Sequence, residues 1–253
     1  MMIKIPEEKV SQYHSFFDNC DKARNIIDTL TFHPVGNLYI DEEENPTILM
    51  YSLPWIHIFA GNPSSATVKE FFSKIKAGNL IFAENSWIPE IKEFWGNKLH
   101  SFTRTHFSPT NLDLHHIQKL KEKPLPDGFS IMHINRETIE FIEENLTNYF
   151  SLMYGSIDKF LSEGVGFCIK EEDKLASFAT SFLPFKQNVE IQVITLEEYR
   201  RRGFATIICA VLIEFCLNNG LTPDWDAENE LSVKLALRLG YTNPNSYKCY
   251  FWR

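Results

Sequence analysis

Cysteine is sparse here, and its placement excludes more than its number. The five residues, Cys20, Cys168, Cys209, Cys216 and Cys249, lie scattered without a C-x-x-C pair. That pattern argues against a disulfide framework or a zinc site and suits reduced thiols. Long apolar runs are also missing. The longest, Ala205 to Leu217, is too short to cross a bilayer and carries Glu214. Lys4, Glu7, Glu8 and Lys9 precede any apolar stretch, which argues against a secretory leader. Positive charge is in deficit, with 25 Lys and Arg against 33 Asp and Glu and a formal net charge of −8. Nucleic-acid and membrane-surface binders normally present broad basic faces, so neither partner is expected. There is no P-loop, no G-x-S-x-G elbow and no paired Cys-His signature. His115-His116 has no acidic or Cys partner at ligand spacing, so no metal is expected. A soluble, cytoplasmic protein is the reading that remains.

What is present is a globular composition, 44% hydrophobic and 14% aromatic over 253 residues, enough for one large domain or two ordinary ones. The stretch Glu122 to Phe129, "EKPLPDGF", resists both helix and central strand and is read as a linker. It predicts an N-terminal α/β domain over 1–124 and a second domain over 125–253. In the first, helices are expected at Glu7–Phe17, Asp21–Leu30, Ala66–Ile75 (capped by Ser64 or Ser65) and Asn111–Glu122. Strands are expected at Leu38–Ile40, Ile48–Ser52, Ile56–Phe59, Leu80–Ala83 and Ser101–Phe107. In the second, strands are expected at Ser130–Ile134, Val165–Lys170, Leu175–Phe182, Val189–Ile194 and Thr222–Asp226, and helices at Arg136–Leu146, Ile157–Ser162, Phe204–Leu217 and Asn229–Leu239. A final hairpin using Tyr241 and Tyr247–Trp252 completes the order. Such an order implies an α/β fold, a mixed sheet with helices packed on its faces.

The stretch "EYRRRGFA", Glu198 to Ala205, sets three arginines in a row in this acidic chain. It joins a strand to a helix whose apolar residues fill most of its circumference. The free N–H groups of such a helix start, aided by its dipole, form an anion site, and Gly203 lets a phosphate approach the backbone. The ligand this suits is local and highly charged, such as a pyrophosphate.

The pattern R-x-x-G-x-A, spanning Arg200, Arg201, Arg202, Gly203, Phe204 and Ala205, resembles the acyl-coenzyme A signature of the GNAT superfamily of N-acetyltransferases. Its flanks agree: a strand before, a helix after, then "PDWDAENELSVKLALRLGY" from Pro223 to Tyr241. The wording of that segment is similar to a bacterial GNAT subgroup with an extra N-terminal half. The resemblance implies a GNAT-like fold over 125–253, with 1–124 as a degenerate, non-catalytic copy that lacks the signature. It implies acetyl-CoA as co-substrate, its pyrophosphate held by backbone N–H groups of Arg201 to Ala205 and by the charges of Arg200 and Arg202. Val193, Ile194 and Thr195 would pair with the pantetheine arm as if it were a strand. Asn229 and Ser232 would face the cofactor from the next helix.

Acetyl transfer needs a neutral amine, and an alkyl amine is neutral in only about one molecule per thousand at pH 7. A base is therefore expected, Glu190 first and Asp226 second, with a backbone N–H near Val193 or Ile194 stabilising the oxyanion. The tyrosine that many relatives place seven residues beyond the Asn is replaced by Ala236. Blander readings stay open: Asn229 as a helix cap, Ser232 as a first-turn polar residue, Glu190 as a solvent-facing strand position, Asp226 as a loop partner. The expected activity is acetylation of a small, cationic primary amine. A non-catalytic acyl-CoA-binding sensor and a protein N-acetyltransferase stand as alternatives. Oligomeric state is left open, and Trp55 or Trp87 is expected to help wall the acceptor pocket.

Overall fold

In the computed structural model, which describes residues 2–20, 23–30, 32–33 and 35–253, the chain divides into two compact units. One comprises Met1–Thr103 with Tyr247–Arg253, the other Arg104–Ser246. The Pro- and Gly-bearing stretch Glu122 to Phe129 lies within the second.

The first unit begins with β1 (Ile3–Lys4) and a helix over Glu7–Phe17, at the expected bounds and of the tighter 3-10 kind. The next helix, α1 (Arg24–Leu30), covers all but Ala23 of the described part of the helix expected from Asp21; Asp21 and Lys22 lie outside the described residues. Strands β2 (Asn37–Ile40), β3 (Ile48–Ser52) and β4 (Ile56–Gly61) follow, each antiparallel to its predecessor. A short helix, α2 (Val68–Phe72), then crosses to β5 (Leu80–Phe82), which runs parallel to β4. Neither serine caps α2: Thr67 sits at its N-cap without a side-chain hydrogen bond, and the Ser65 hydroxyl pairs with that of Thr67. Helix α3 (Ile88–Trp95) was not expected; it opens with Pro89 in its first turn, a position where the missing N–H costs nothing. Strands β3 and β4 are buried on both faces, so they read as apolar runs without alternation. Their core is aromatic. Trp87 is wholly buried, with its ring 4.9 Å from Phe59, and Phe72 stands 4.9 Å from Trp95. Trp87 therefore belongs to this core and not to a pocket wall.

The second unit takes in the end of β6 (Leu99–Ser108) and α4 (Leu114–Lys121). It continues through β7 (Phe129–His133), α5 (Arg136–Asn145), α6 (Tyr149–Tyr154) and α7 (Ile157–Glu163). Strands β8 (Gly166–Glu171), β9 (Lys174–Ser181) and β10 (Asn188–Thr195) complete an antiparallel run from β7. Helix α8 (Phe204–Asn218) then crosses to β11 (Thr222–Ala227), parallel to β10. Helix α9 (Glu230–Leu239) leads into β12 (Thr242–Trp252), a single long strand in place of the expected hairpin.

Helix α8 is the core of this unit. Ile207, Ile208, Leu212 and Ile213 pack with Val189, Ala179, Ile169 and Trp225. Each such fully buried side chain contributes roughly 1.5–3 kcal/mol. Its one carboxylate, Glu214, is neutralised by Lys121 and accepts from the Gln118 amide at 3.2 Å, both on α4. Helix α6, which the sequence reading passed over, packs by hydroxyls as much as by rings. Tyr149 bonds Thr180, and Tyr154 donates to the Leu183 carbonyl at 2.7 Å.

The two units share a strand plan. Four antiparallel strands lead by a crossover helix to a parallel fifth, in β1 to β5 and again in β7 to β11. The sixth strand is exchanged. β5 pairs with the end of β12 (Tyr250↔Ile81), while β11 pairs with the end of β6 (Trp225↔Phe107, Asp226↔His106, Ala227↔Thr105). Among the described residues no helix is long and apolar enough to cross a membrane.

Candidate functional site

The site starts from how β10 and β11 stop pairing. Asn188↔Thr222, Val189↔Pro223 and Glu190↔Asp224 are in register, and there the ladder ends. From Ile191 to Thr195, β10 has register partners on β9, and from Trp225 to Ala227, β11 has them on β6. The strands part, leaving the backbone groups of Val193 and Thr195 turned toward the gap, while those of Ile194 between them face β9, where its carbonyl accepts from the Ser177 hydroxyl at 3.0 Å. A row of N–H and C=O groups at such an edge will accept another extended chain.

The gap opens toward the start of α8. Gly203 is the N-cap with φ 88° and ψ 0°, and among the described residues no side chain caps the helix. Gly203 accepts from the Thr206 and Ile207 N–H groups, so the first turn closes on its carbonyl. The N–H groups of Phe204 and Ala205 point out of that end, where the helix dipole concentrates positive potential. A Cβ on Gly203 would meet nothing within 4 Å, so the ground before this turn is open. Arg201 is itself left-handed at φ 63°, a conformation that costs a non-glycine residue roughly 1–2 kcal/mol. Two of the arginines are held from below. Arg200 Nε donates to the Thr195 carbonyl at 3.3 Å, and the Arg202 guanidinium lies 5.4 Å from the centre of the Tyr199 ring. The Tyr199 hydroxyl donates to Glu171 at 2.8 Å, which anchors that platform. All three guanidiniums stay exposed.

On the far side, Asn229 caps α9 by accepting from the Ser232 N–H at 3.0 Å, and the Ser232 hydroxyl accepts from the Trp225 indole at 3.1 Å. These bonds fix the helix start against β11. Both residues thus have structural work in addition to any ligand contact. Ala236 is fully buried, and the Tyr241 hydroxyl donates to the Pro223 carbonyl at 3.2 Å inside the core. Neither position presents an acid to the gap.

Alternation along the strands sorts the charged groups. Val189, Ile191 and Val193 face the α8 core, as do Trp225, Ala227 and Phe107. Glu190, Asp224, Asp226, His106 and Arg104 therefore share the opposite face. Asp226 is bound by Arg104, with Nε 3.1 Å from Oδ1 and Nη2 donating to its backbone carbonyl at 3.2 Å. Asp224, only 6% exposed, lies 3.8 Å from His106 Nε2. Burial holds the Asp224 carboxyl above the ordinary carboxylate value; His106 opposes the rise and Asp226 adds to it. The sequence reading missed Asp224, His106 and Arg104. Their signal was the spacing in "DWD" and "RTH", which puts alternate polar residues on one strand face.

A parted parallel pair beside a glycine-started, uncapped helix can be compared with known families. The family model for GNAT acetyltransferases matches residues 15–250. The chain belongs to the GNAT acetyltransferase family. A relative described as an uncharacterised N-acetyltransferase, YdfB of Bacillus subtilis (strain 168), is 24% identical over 261 residues, covering 98% of this chain and 97% of that one. Among solved structures, a GCN5-related N-acetyltransferase-like protein from Streptococcus suis superposes with a TM-score of 0.83 at 28% identity, over 97% of this chain and 99% of that one. A tandem GNAT protein from the clavulanic acid biosynthesis pathway shares the fold, with a TM-score of 0.60 at 10% identity over 100% and 98%. The mixed sheet flanked by helices is thus the GNAT fold.

Proposed function

We propose that this GNAT protein transfers an acetyl group from acetyl-CoA to a primary amine of a small, cationic molecule. The observation that carries the proposal is the parting of β10 from β11 immediately beside the open start of α8. The residues present suit the co-substrate. The gap-facing edge of the Val193–Ile194–Thr195 stretch, at Val193 and Thr195, would pair with the pantetheine amides. The N–H groups of Arg201, Arg202, Gly203, Phe204 and Ala205 would take the pyrophosphate, with the Arg200 and Arg202 guanidiniums adding charge. Asn229 and Ser232 would border the arm from the α9 side.

Chemistry would occur where the strands divide. Glu190 occupies the last paired position of β10, so its carboxylate is our choice of base for the incoming ammonium. Asp226, whose carboxylate is engaged by Arg104, is the second choice. Of the two expected donors, the Val193 N–H would stabilise the acyl oxygen as it gains charge, because the Ile194 N–H faces β9. The leaving thiol, with an ordinary pKa of about 8.5, departs without a donor at the Ala236 position. The carboxylates on this face, in a chain of net charge −8, favour a cationic acceptor.

One observation favours a second reading, an acyl-CoA-binding protein without turnover: no tyrosine hydroxyl is offered at Ala236 or by Tyr241. Thiol release separates the two. Calorimetry should detect coenzyme A binding, and acetyl-CoA with a panel of primary amines should liberate free thiol. Glu190→Gln should cut that release while keeping coenzyme A affinity. Binding without thiol release across the panel would support the sensor, and absence of binding would defeat both readings.

A further inference from the structure

Three adjacent strands each place a titratable group on the face opposite the α8 core. Glu190 stands on β10, Asp224 is its register partner on β11, and His106 stands on β6 with Nε2 3.8 Å from an Asp224 oxygen. Neighbouring strands lie about 4.8 Å apart, so side chains at paired positions on one face come within reach of each other. Burial changes along the row. The Asp224 side chain is 8% exposed and that of His106 45%. The row therefore runs from the fork between β10 and β11, through a buried carboxyl, to an imidazole open to water.

Resting on the acetyltransferase reading above, we infer that Asp224 and His106 form a proton exit behind Glu190, with both acting as positioning residues and neither touching the acceptor. The bonds balance as follows. The acceptor's ammonium loses one proton to Glu190, its nitrogen bonds the acyl carbon, and the carbon–sulfur bond breaks. The sulfur keeps that electron pair and takes the second proton from the nitrogen. Glu190 returns to its ionised form by passing its proton to the Asp224 carboxylate, whose carboxyl then turns and passes that same proton to His106 Nε2. His106 releases a proton to solvent from its exposed ring. One proton is released per turnover and every group is restored. The 3.8 Å separation exceeds a hydrogen bond, and a small ring rotation or one water closes it.

The surrounding charges suit this role. Arg104 engages Asp226, and Asp224 lies 3.8 Å from the imidazole. From the segment after α9, Tyr241 approaches Asp224 from the core side, and burial keeps its hydroxyl protonated. A buried carboxyl that holds a proton easily is a better relay than an exposed one, and Asp224 is raised in that direction by its burial.

The test compares wild type, His106→Gln, His106→Ala and Asp224→Asn in the full chain by thiol release across pH 5.5–9. Positioned proton transfer contributes about 10²–10⁴-fold, so losing an exit behind the base should lower kcat roughly ten- to a hundredfold. KM for acetyl-CoA should stay unchanged, and the acidic limb of the pH–rate profile should move. Added imidazole should restore part of the His106→Ala activity. His106 is half exposed, so its variants should fold even if Asp224→Asn does not. His106 variants with an unaltered kcat and pH profile would overturn the relay alone. So would a loss that imidazole leaves unrelieved. Wild-type protein that binds coenzyme A but releases no thiol would overturn the relay and the acetyltransferase reading together.

Discussion

Replacing Gly203 with alanine separates fold from ligand binding at the turn on which the proposed function depends. The residue sits at φ 88°, where an L side chain is disfavoured by roughly 1–2 kcal/mol. The added Cβ meets nothing within 4 Å, so no steric cost joins the backbone cost. For a chain of this size about 1 kcal/mol corresponds to roughly 2–4 °C in Tm, so Gly203→Ala should melt only about 2–8 °C below wild type. The open space that spares the fold is the space we assign to the pyrophosphate. Coenzyme A affinity should therefore drop at least tenfold, about 1.4 kcal/mol or more. Gly36→Ala is the contrasting case. Its φ is a similar 88°, but the Cβ would stand 2.4 Å from the Ser52 carbonyl oxygen, a backbone atom that cannot swing aside. Overpacking of that kind adds about 1–3 kcal/mol, so Tm should fall further while the folded fraction keeps its coenzyme A affinity. Titration calorimetry with coenzyme A and a thermal melt read both variants. Wild-type affinity in Gly203→Ala, or a larger affinity loss in Gly36→Ala, would refute the reasoning.

Other tests address the rest of the molecule. Lys121→Met should destabilise the protein by about 1–3 kcal/mol, because it leaves the Glu214 carboxylate with the Gln118 amide and without its paired ammonium; pairing it with Glu214→Leu should recover most of the loss in urea unfolding. His57 is buried, which pushes its pKa down to about 4 from an ordinary 6.5. The unfolded chain thus binds the proton more readily between those values. Stability from His57 is complete above pH 6.5 and declines as pH falls toward 4, by on the order of 3 kcal/mol in all. His57→Gln should flatten that part of the pH–stability curve, and an unchanged curve would show that His57 is not its cause. All five cysteines are buried, and burial pushes the thiols of Cys168 and Cys216 up to about 11 and about 12. A thiol reagent at pH 8 should label the native protein only as fast as it unfolds; fast labelling of one cysteine would contradict its burial.

The arginine-glycine turn and helix α8 were legible because both are local. Buried helices announce themselves by periodicity, and a helix start on glycine after a strand needs only a few consecutive residues. The strands of the second unit were legible within a residue or two for the same reason. The exchange of β6 and β12 was not, since pairing Trp225 with Phe107 and Tyr250 with Ile81 joins positions more than a hundred residues apart. The extended run from Thr242 to Trp252 holds Pro and two Asn near its start, which suggested a turn where the strand in fact continues. Helix α6 was passed over because its six residues are too few to display a period. His106 and Asp224 look ordinary one at a time, and only the register that sets β6 beside β11 makes them neighbours. Asn229 was readable as a cap from its type and position, and that is what its carbonyl oxygen does.

The crossed sixth strands bear on how this molecule can be made and cut. An expression fragment ending near residue 124 would lack the segment that lines up with Ile81, and the complementary fragment would lack Arg104, His106 and Phe107. During translation the opening sheet would wait, one edge bare, until the ribosome had nearly finished β12. Chaperone dependence and failed truncations would then reflect this late closure more than any weakness in either core.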